Sequence, residues 1–344
     1  MRNKVMAVLV AAVLAMSATG CGQKQSSVET GTENTAADNK VQIGITFDSF
    51  LIERWERDRD IFVSSAKDLG AEVNVQNANG DVEDQKKQID YFIKKKMDVI
   101  VVIPVDSSSL TDEVRKAKNA GIKVIAYDRM LNNSDADLYI SFDNETVGKF
   151  MADAIIKAMP DGGSIIKING PSKDNNVSLV NHGFDKEIIH HNIKVLSTYY
   201  ASEWDGEEAF NYMSAHSKEA DAADAVMCGN DSLAGQVVRY LSEQRLAGKV
   251  TVVGQDADLD ACQRIVEGTQ TMTVYKPIEK LAKKAAECAV ALAGGNDIPG
   301  ETVISDGKYS VPYVCIEPVA VDKDNIDNVI IDSGFHLRED VYLK

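Results

Sequence analysis

Residues 98–104, Asp-Val-Ile-Val-Val-Ile-Pro, constrain the fold of this chain more than any other segment. Five consecutive β-branched apolar residues lie between an aspartate and a proline. A strand apolar on both of its alternating faces has to be covered on both, which is how strands of parallel α/β sheets read. The flanking segments fit. Val41, Ile43, Ile45 and Phe47 start a strand, and a helical stretch carrying Trp55, Ile61, Phe62, Ala66 and Leu69 follows, ending at Gly70. Ala71–Ala78 reads as a strand, Asp81 caps a helix to about Lys96, and a helix over Ser108–Ala120 leads to the strand Ile122–Tyr127. Strands separated by helices of this length mean βαβ units.

The pattern restarts near residue 146, with Val147, Phe150, Met151 and Ile155 on a helix. Strands are expected at Ser164–Ile168, Ile193–Tyr199, Ala222–Cys228, Val250–Val253 and Thr271–Tyr275. A body of about 300 residues is long for one doubly wound sheet and natural for two. The expected fold is therefore α/β, with two Rossmann-like domains of parallel sheet. The chain is expected to cross between them at Ser141–Glu145, near Lys276 and within Glu301–Ser310. The first lobe would comprise 41–143 plus 277–304, and the second 146–274 plus 310–344.

Ahead of the body, Arg2 and Lys4 precede an apolar run from Val5 to Met16, then small residues and Cys21. This order marks a secretory signal over 1–20, too short for a permanent membrane span. Ala-Thr-Gly-Cys at 18–21 resembles a lipobox, which makes Cys21 the expected lipidation site. Residues 21–40, poor in large apolar side chains, read as a flexible tether. The expectation is an exported protein held by lipid at the outer face of the cell membrane. The chain carries a formal charge of −16, which disfavours nucleic acid and anionic lipid as partners. Cys228, Cys262, Cys288 and Cys315 lack CxxC spacing and read as buried free thiols. No Gly-rich phosphate loop follows the first strand, so no nucleotide cofactor is expected. Asp256, Asp258 and Asp260 have the spacing of a calcium loop, but Ala261 stands where its sharp turn needs glycine, and no metal is expected.

Ligands of open parallel sheets bind outside the carboxyl ends of the strands. Those positions here hold Asp48, Asp106, Asp128-Arg129, Asp174-Asn175-Asn176, Asn230-Asp231, Gln255-Asp256 and Lys276. Asp48, Asp106 and Asp231 also suit ordinary caps and turns. Arg129 and Lys276 do not, since neither is a preferred cap. The only two tryptophans, Trp55 in Glu-Arg-Trp-Glu-Arg and Trp204 in Ser-Glu-Trp-Asp-Gly, sit among charged residues. A flat apolar ring within a polar rim suits a ligand with the same two characters, such as a pyranose.

The stretches 51–62 (Leu-Ile-Glu-Arg-Trp-Glu-Arg-Asp-Arg-Asp-Ile-Phe), 125–130 (Ile-Ala-Tyr-Asp-Arg-Met), 139–145 (Tyr-Ile-Ser-Phe-Asp-Asn-Glu), 254–259 (Gly-Gln-Asp-Ala-Asp-Leu) and 268–277 (Gly-Thr-Gln-Thr-Met-Thr-Val-Tyr-Lys-Pro) carry a resemblance through the whole body. They are similar to the periplasmic sugar-binding proteins of ATP-driven (ABC) importers, in particular the D-xylose-binding kind. The resemblance implies a non-catalytic receptor, expected as a monomer without cofactor, that closes its lobes on a monosaccharide. It implies ligand contacts from Arg54, Trp55, Asp128, Arg129, Asn175 (or its neighbour Asn176), Trp204, Asn230, Asp256 and Lys276. Asp128 and Asp256 would accept from sugar hydroxyls, the three cations would donate, and the tryptophans would sandwich the ring. A glycoside hydrolase is the enzymatic rival, but Arg and Lys are mixed into the matched positions and the family is non-catalytic. The same body could present its closed state to an ABC permease or to a membrane sensor, a histidine kinase or chemoreceptor.

Overall fold

In the computed structural model, which describes residues 40–296, 298 and 302–343, strands and helices alternate from the start. The expected signal segment, Cys21 and all but the last residue of the tether lie outside the described residues. The first half comprises β1 (Gln42–Phe47), α1 (Arg54–Asp68), β2 (Glu72–Asn77), α2 (Val82–Lys94), β3 (Val99–Val102), α3 (Thr111–Asn119), β4 (Lys123–Tyr127) and β5 (Leu138–Phe142). The second comprises α4 (Asn144–Ala158), β6 (Gly163–Asn169), α5 (Asn175–Ile188), β7 (Ile193–Tyr200), α6 (Gly206–Ala215), α7 (Ser217–Asp221), β8 (Ala225–Cys228), α8 (Asp231–Glu243), β9 (Thr251–Val253), α9 (Leu259–Glu267) and β10 (Met272–Tyr275). The chain then runs through α10 (Ile278–Ala293), β11 (Thr302–Ser305), β12 (Ser310–Ile316), β13 (Val319–Asp322), a π-helical turn (Asp327–Ile331) and α11 (Arg338–Tyr342).

Two sheets result, with strand orders β11-β12-β5-β4-β3-β1-β2 and β13-β10-β9-β8-β6-β7. Each is parallel except for one edge strand, β11 against β12 and β13 against β10. β3 is buried at every residue, as its composition requires. In each sheet the order reverses around an early strand, β1 in the first and β6 in the second. The loops leaving the strand ends there open a crevice.

The chain passes between the sheets at Asp143, at Lys276–Pro277 and at Glu317–Pro318. The third passage corrects an expectation. Residues 310–316, assigned above to the second lobe, form β12 and pair in parallel with β5 of the first sheet, Tyr313 beside Tyr139 and Ile316 beside Phe142. β11 and β12 form a hairpin, an element that an alternating strand–helix pattern does not announce. β5 itself was not foreseen as a strand. The thiols need one correction too: none of the four forms a disulfide, and Cys228, Cys262 and Cys288 are buried, but Cys315 on β12 is exposed.

Among the described residues no helix is long and apolar enough to cross a membrane. The close packing of α4 on α5 depends on two glycines. A Cβ on Gly148 would stand 2.0 Å from the Val180 carbonyl oxygen, and one on Gly183 would stand 2.0 Å from that of Glu145. Backbone cannot yield there as a flexible side chain could. Gly183→Ala is therefore expected to lower stability by about 1–3 kcal/mol through overpacking, read as a lower urea midpoint at unchanged m-value. An unchanged midpoint would mean that the helices separate at no cost.

Candidate functional site

The first sheet sends two loops to the crevice. The turn after β1 leads into α1, whose first residues are Arg54 and Trp55, and β4 ends at Asp128 and Arg129. These four residues, with Ile52, form one wall of a cavity between the lobes. The opposite wall comes from loops after β6, β7, β9 and β10 and carries Asp174, Asn176, Trp204, Gln255, Asp256 and Lys276. The tryptophans thus come from opposite lobes to one cavity, only 1% and 8% exposed.

Each guanidinium on the first wall is clamped. Arg54 Nε and Nη2 reach Asp58 at 3.0 and 3.1 Å, and Nη2 lies 3.0 Å from Asp128. Arg129 Nη1 donates to Asp48 at 2.7 Å, while Nε lies 2.7 Å from Asp174 of the other lobe. The two Cζ atoms sit 4.5 and 5.6 Å from the centre of the Trp55 ring, which they hold in place. Tyr127 donates from its hydroxyl to Asp58. On the second wall Lys276 Nζ lies 3.2 Å from Asp256.

Charge states follow from burial against pairing. Burial pushes the carboxyls of Asp48, Asp58 and Asp174 up despite their arginine partners. Burial works on Asp128 in the same sense, but Arg54, Lys276 and Arg129 together outweigh it and hold its carboxyl below the usual value. Asp128 is the carboxylate of the first wall held firmly ionised.

Trp204 is placed from two sides. Glu208 accepts from Ser202 N at 2.9 Å, Ser202 Oγ at 2.6 Å and Tyr199 OH at 2.9 Å, which pins the loop ahead of the ring. Gly170, just past β6, leaves room for it: a Cβ there would meet the indole at 2.3 Å.

Two of the expected residues, Asn175 and Asn230, lie outside the cavity lining. Asn175 does not line the cavity; its backbone N–H donates to Ser107 Oγ across the lobes at 3.3 Å. Asn176 lines it instead, donating from Nδ2 to the Asp128 carboxylate at 3.0 Å and carbonyl at 3.1 Å. Asp174 sets this register by capping α5 through Asn176 N. Asn230 is also absent from the lining, and its Oδ1 caps α8 by accepting from Leu233 N at 2.9 Å. The other seven expected residues all meet in the cavity. Not among the expected contacts were Asp58 and the lining residues Asp174 and Gln255, while Asp231, read from sequence as a cap or turn residue, has a further role beneath the second wall. The Arg54–Asp58 pair, four apart on one helix, was visible in sequence.

Asp231, 1% exposed, lies beneath the second wall. It accepts from Thr273 Oγ1 at 2.6 Å, Gln270 Nε2 at 2.8 Å and Asp258 N at 3.2 Å. Burial drives its carboxyl up to about 7, against the pull of Arg264 and of its Thr273 and Gln270 hydrogen bonds.

Eleven buried side-chain N or O atoms of the described residues have no hydrogen-bond partner in the protein, and five of them belong to lining residues: Trp55 Nε1, Trp204 Nε1, Asp128 Oδ2, Gln255 Oε1 and Asp256 Oδ1. The two aspartate oxygens among these are ion-paired but not hydrogen-bonded. Burying a polar atom with no partner of any kind, as with the two indole N–H groups and Gln255 Oε1, costs about 1–3 kcal/mol each. Of the five, two are donors and three are acceptors, so the complementary ligand must both accept and donate. Hydroxyls do both. Five carboxylates (Asp48, Asp58, Asp128, Asp174, Asp256) surround three cations (Arg54, Arg129, Lys276), which argues against an anionic ligand. The chemistry of the lining suits a neutral polyhydroxy compound with apolar ring faces. Among the described residues no cluster of His, Cys, Asp or Glu could hold a metal ion.

Residues 43–297 match the model of a periplasmic binding protein domain. The chain belongs to that family. The D-xylose-binding periplasmic proteins of Haemophilus influenzae and Escherichia coli are 44% and 43% identical over 314 residues, 90% of this chain and 94% and 95% of theirs. An ABC transporter solute-binding protein from Clostridium phytofermentans, solved with bound β-D-glucose, superposes with a TM-score of 0.79 at 28% identity, over 87% of this chain and 99% of that one. These relatives are solute-binding proteins, and this periplasmic binding protein is a receptor, not an enzyme.

Because burial pushes the neighbouring carboxyls of Asp231 and Asp258 up together, Asp231 to about 7, while an unfolded aspartate releases its proton near pH 4, the folded state binds more protons between these values. Stability contributed by Asp231 therefore falls as pH rises from about 4 to about 7. His336, whose pKa burial lowers, acts in the opposite sense below its ordinary value of about 6.5. The decisive comparison is therefore with Asp231→Asn. The drop in thermal midpoint from pH 5.5 to 7.5 should be smaller in this variant than in wild type. Equal drops would show that Asp231 contributes none of this dependence.

Proposed function

We propose that this periplasmic binding protein captures a monosaccharide, D-xylose first among aldoses, outside the cytoplasm and delivers it by lobe closure to an ABC importer. The observation that carries this reading is the set of donors and acceptors without hydrogen bonds, two of them ion-paired, converging on one cavity from both lobes. In it, Asp128, Asp256 and Gln255 accept from sugar hydroxyls. Lys276, Arg54, Arg129 and the indole N–H groups donate, and Asn176 joins from the lobe interface. The indole faces cover the C–H faces of the ring. Asn175 and Asn230 act through backbone placement and helix capping.

Xylose is favoured by the two relatives named for it, at 43–44% identity. The bound glucose of the solved relative shows that hexoses belong in the same test. Xylose lacks the exocyclic CH₂OH of glucose, and an apolar wall such as Ile52 discriminates by only about 1–3 kcal/mol. Glucose binding weaker than xylose, yet measurable, is therefore expected.

The charged, apolar and small-residue order of the N-terminus, ending at Cys21, supports export and lipid anchoring at the outer face of the membrane. We read the protein as a monomer that meets its permease in the closed form.

Calorimetric titration of the body from Lys40 with D-xylose, D-glucose, D-ribose, L-arabinose and D-galactose tests the reading. One-to-one binding of xylose is expected, weakened at least about tenfold, or about 1.4 kcal/mol, in Trp204→Ala and in Asp256→Asn. Folded protein that binds no aldose would overturn it.

A further inference from the structure

Phe335 and His336 lie outside the cavity lining, yet they touch three of the elements that build it. His336 Nε2 lies 2.8 Å from the carbonyl oxygen of Ala257. A carbonyl only accepts, so Nε2 carries the proton and donates. Ala257 directly follows Asp256, and both are in the left-handed region, at φ +55° and +99°, which L side chains rarely adopt. Such a turn persists only where its surroundings over-determine it. Besides a long bond from Cys262 Sγ to Ala257 O at 3.6 Å, three do so here. Asp256 N donates to Val274 O at 2.9 Å, Ala257 N donates to Thr273 Oγ1 at 3.1 Å, and Ala257 O takes the His336 proton.

The preceding residue reaches the other wall. The Phe335 carbonyl accepts from Arg57 Nη1 at 2.7 Å, and the guanidinium lies 4.4 Å from the centre of the Phe335 ring. Arg57 is one turn along α1 from Arg54 and Trp55. The same ring packs 4.8 Å from Tyr275, the neighbour of Lys276.

We propose that Phe335–His336 is a strap behind the cavity and that His336 is a positioning residue, holding the 255–258 turn so that the Asp256 carboxylate faces the ligand. Arg57 and Phe335 tie that turn to the Arg54–Trp55 wall, so both walls are aligned by one short C-terminal segment. The effect on affinity rests on the sugar-receptor reading; the effect on the turn does not.

The test uses His336→Ala and His336→Gln, the second of which retains a side-chain N–H donor. D-xylose affinity is read by calorimetry, and hydrogen exchange over 255–258 is read without sugar. Loss of the bond in His336→Ala should weaken xylose about tenfold and speed exchange over 255–258, while His336→Gln recovers most of both. If His336→Ala does not fold, His336→Leu, which keeps bulk without the donor, replaces it. Wild-type affinity and exchange in the donor-free variant would overturn the strap, as would equal losses in the donor-free and glutamine variants. If wild type itself binds no aldose, the receptor reading fails and exchange alone decides the strap.

Discussion

Two guanidinium groups, each held between two carboxylates, organise the site. Arg54 lies between Asp58 and Asp128, and Arg129 lies between Asp48 and Asp174. All six residues are buried. Removing an ion from water costs several kcal/mol even after relaxation, and only close pairing offsets it. The arrangement therefore holds while every member is present. It also has a direction: Asp48 and Asp58 lie outside the cavity lining while the arginines line it, and the two cations sit 4.5 and 5.6 Å from the Trp55 ring centre. A polar wall rigid before the ligand arrives loses less entropy on binding.

The fourth carboxylate of this pair of clamps comes from the other lobe. Asp174 on Arg129, together with Asn176 on Asp128 and Ser107 against Lys173 and Asn175, joins the lobes directly. These contacts exist only when the lobes are together. A ligand touching both walls favours the same arrangement, and shifts the equilibrium by its differential affinity for it. Closure and recognition thereby share residues: Asp128 and Arg129 serve the cavity and the lobe interface at once.

Much of this was legible in the chain. The strand Val99–Val102 announced its burial by composition, and Trp55 and Trp204 announced theirs by contradiction, as large apolar rings set among charges. Charged residues ending strands, Arg129 and Lys276 above all, led to the cavity because no cap or turn explains them. What stayed hidden was finer than a pattern can carry. Asn175 and Asn176 differ by one position, and only the Asp174 cap decides which one enters. Asn230 is chemically suited to a ligand, and its Oδ1 also caps a helix. β12 was misassigned because a hairpin that returns to the first sheet has no signature distinct from one that leaves it. Asp231 and His336 act through the backbone of a turn, and nothing local in their sequence reports that.

Small-angle scattering of the body from Lys40, recorded without ligand and with saturating D-xylose, most directly tests whether both walls close on one ligand. The account predicts a smaller radius of gyration with sugar, and no change with a non-binding polyol at equal concentration. An unchanged radius with sugar demonstrably bound would contradict it, because the walls would then be joined without their ligand.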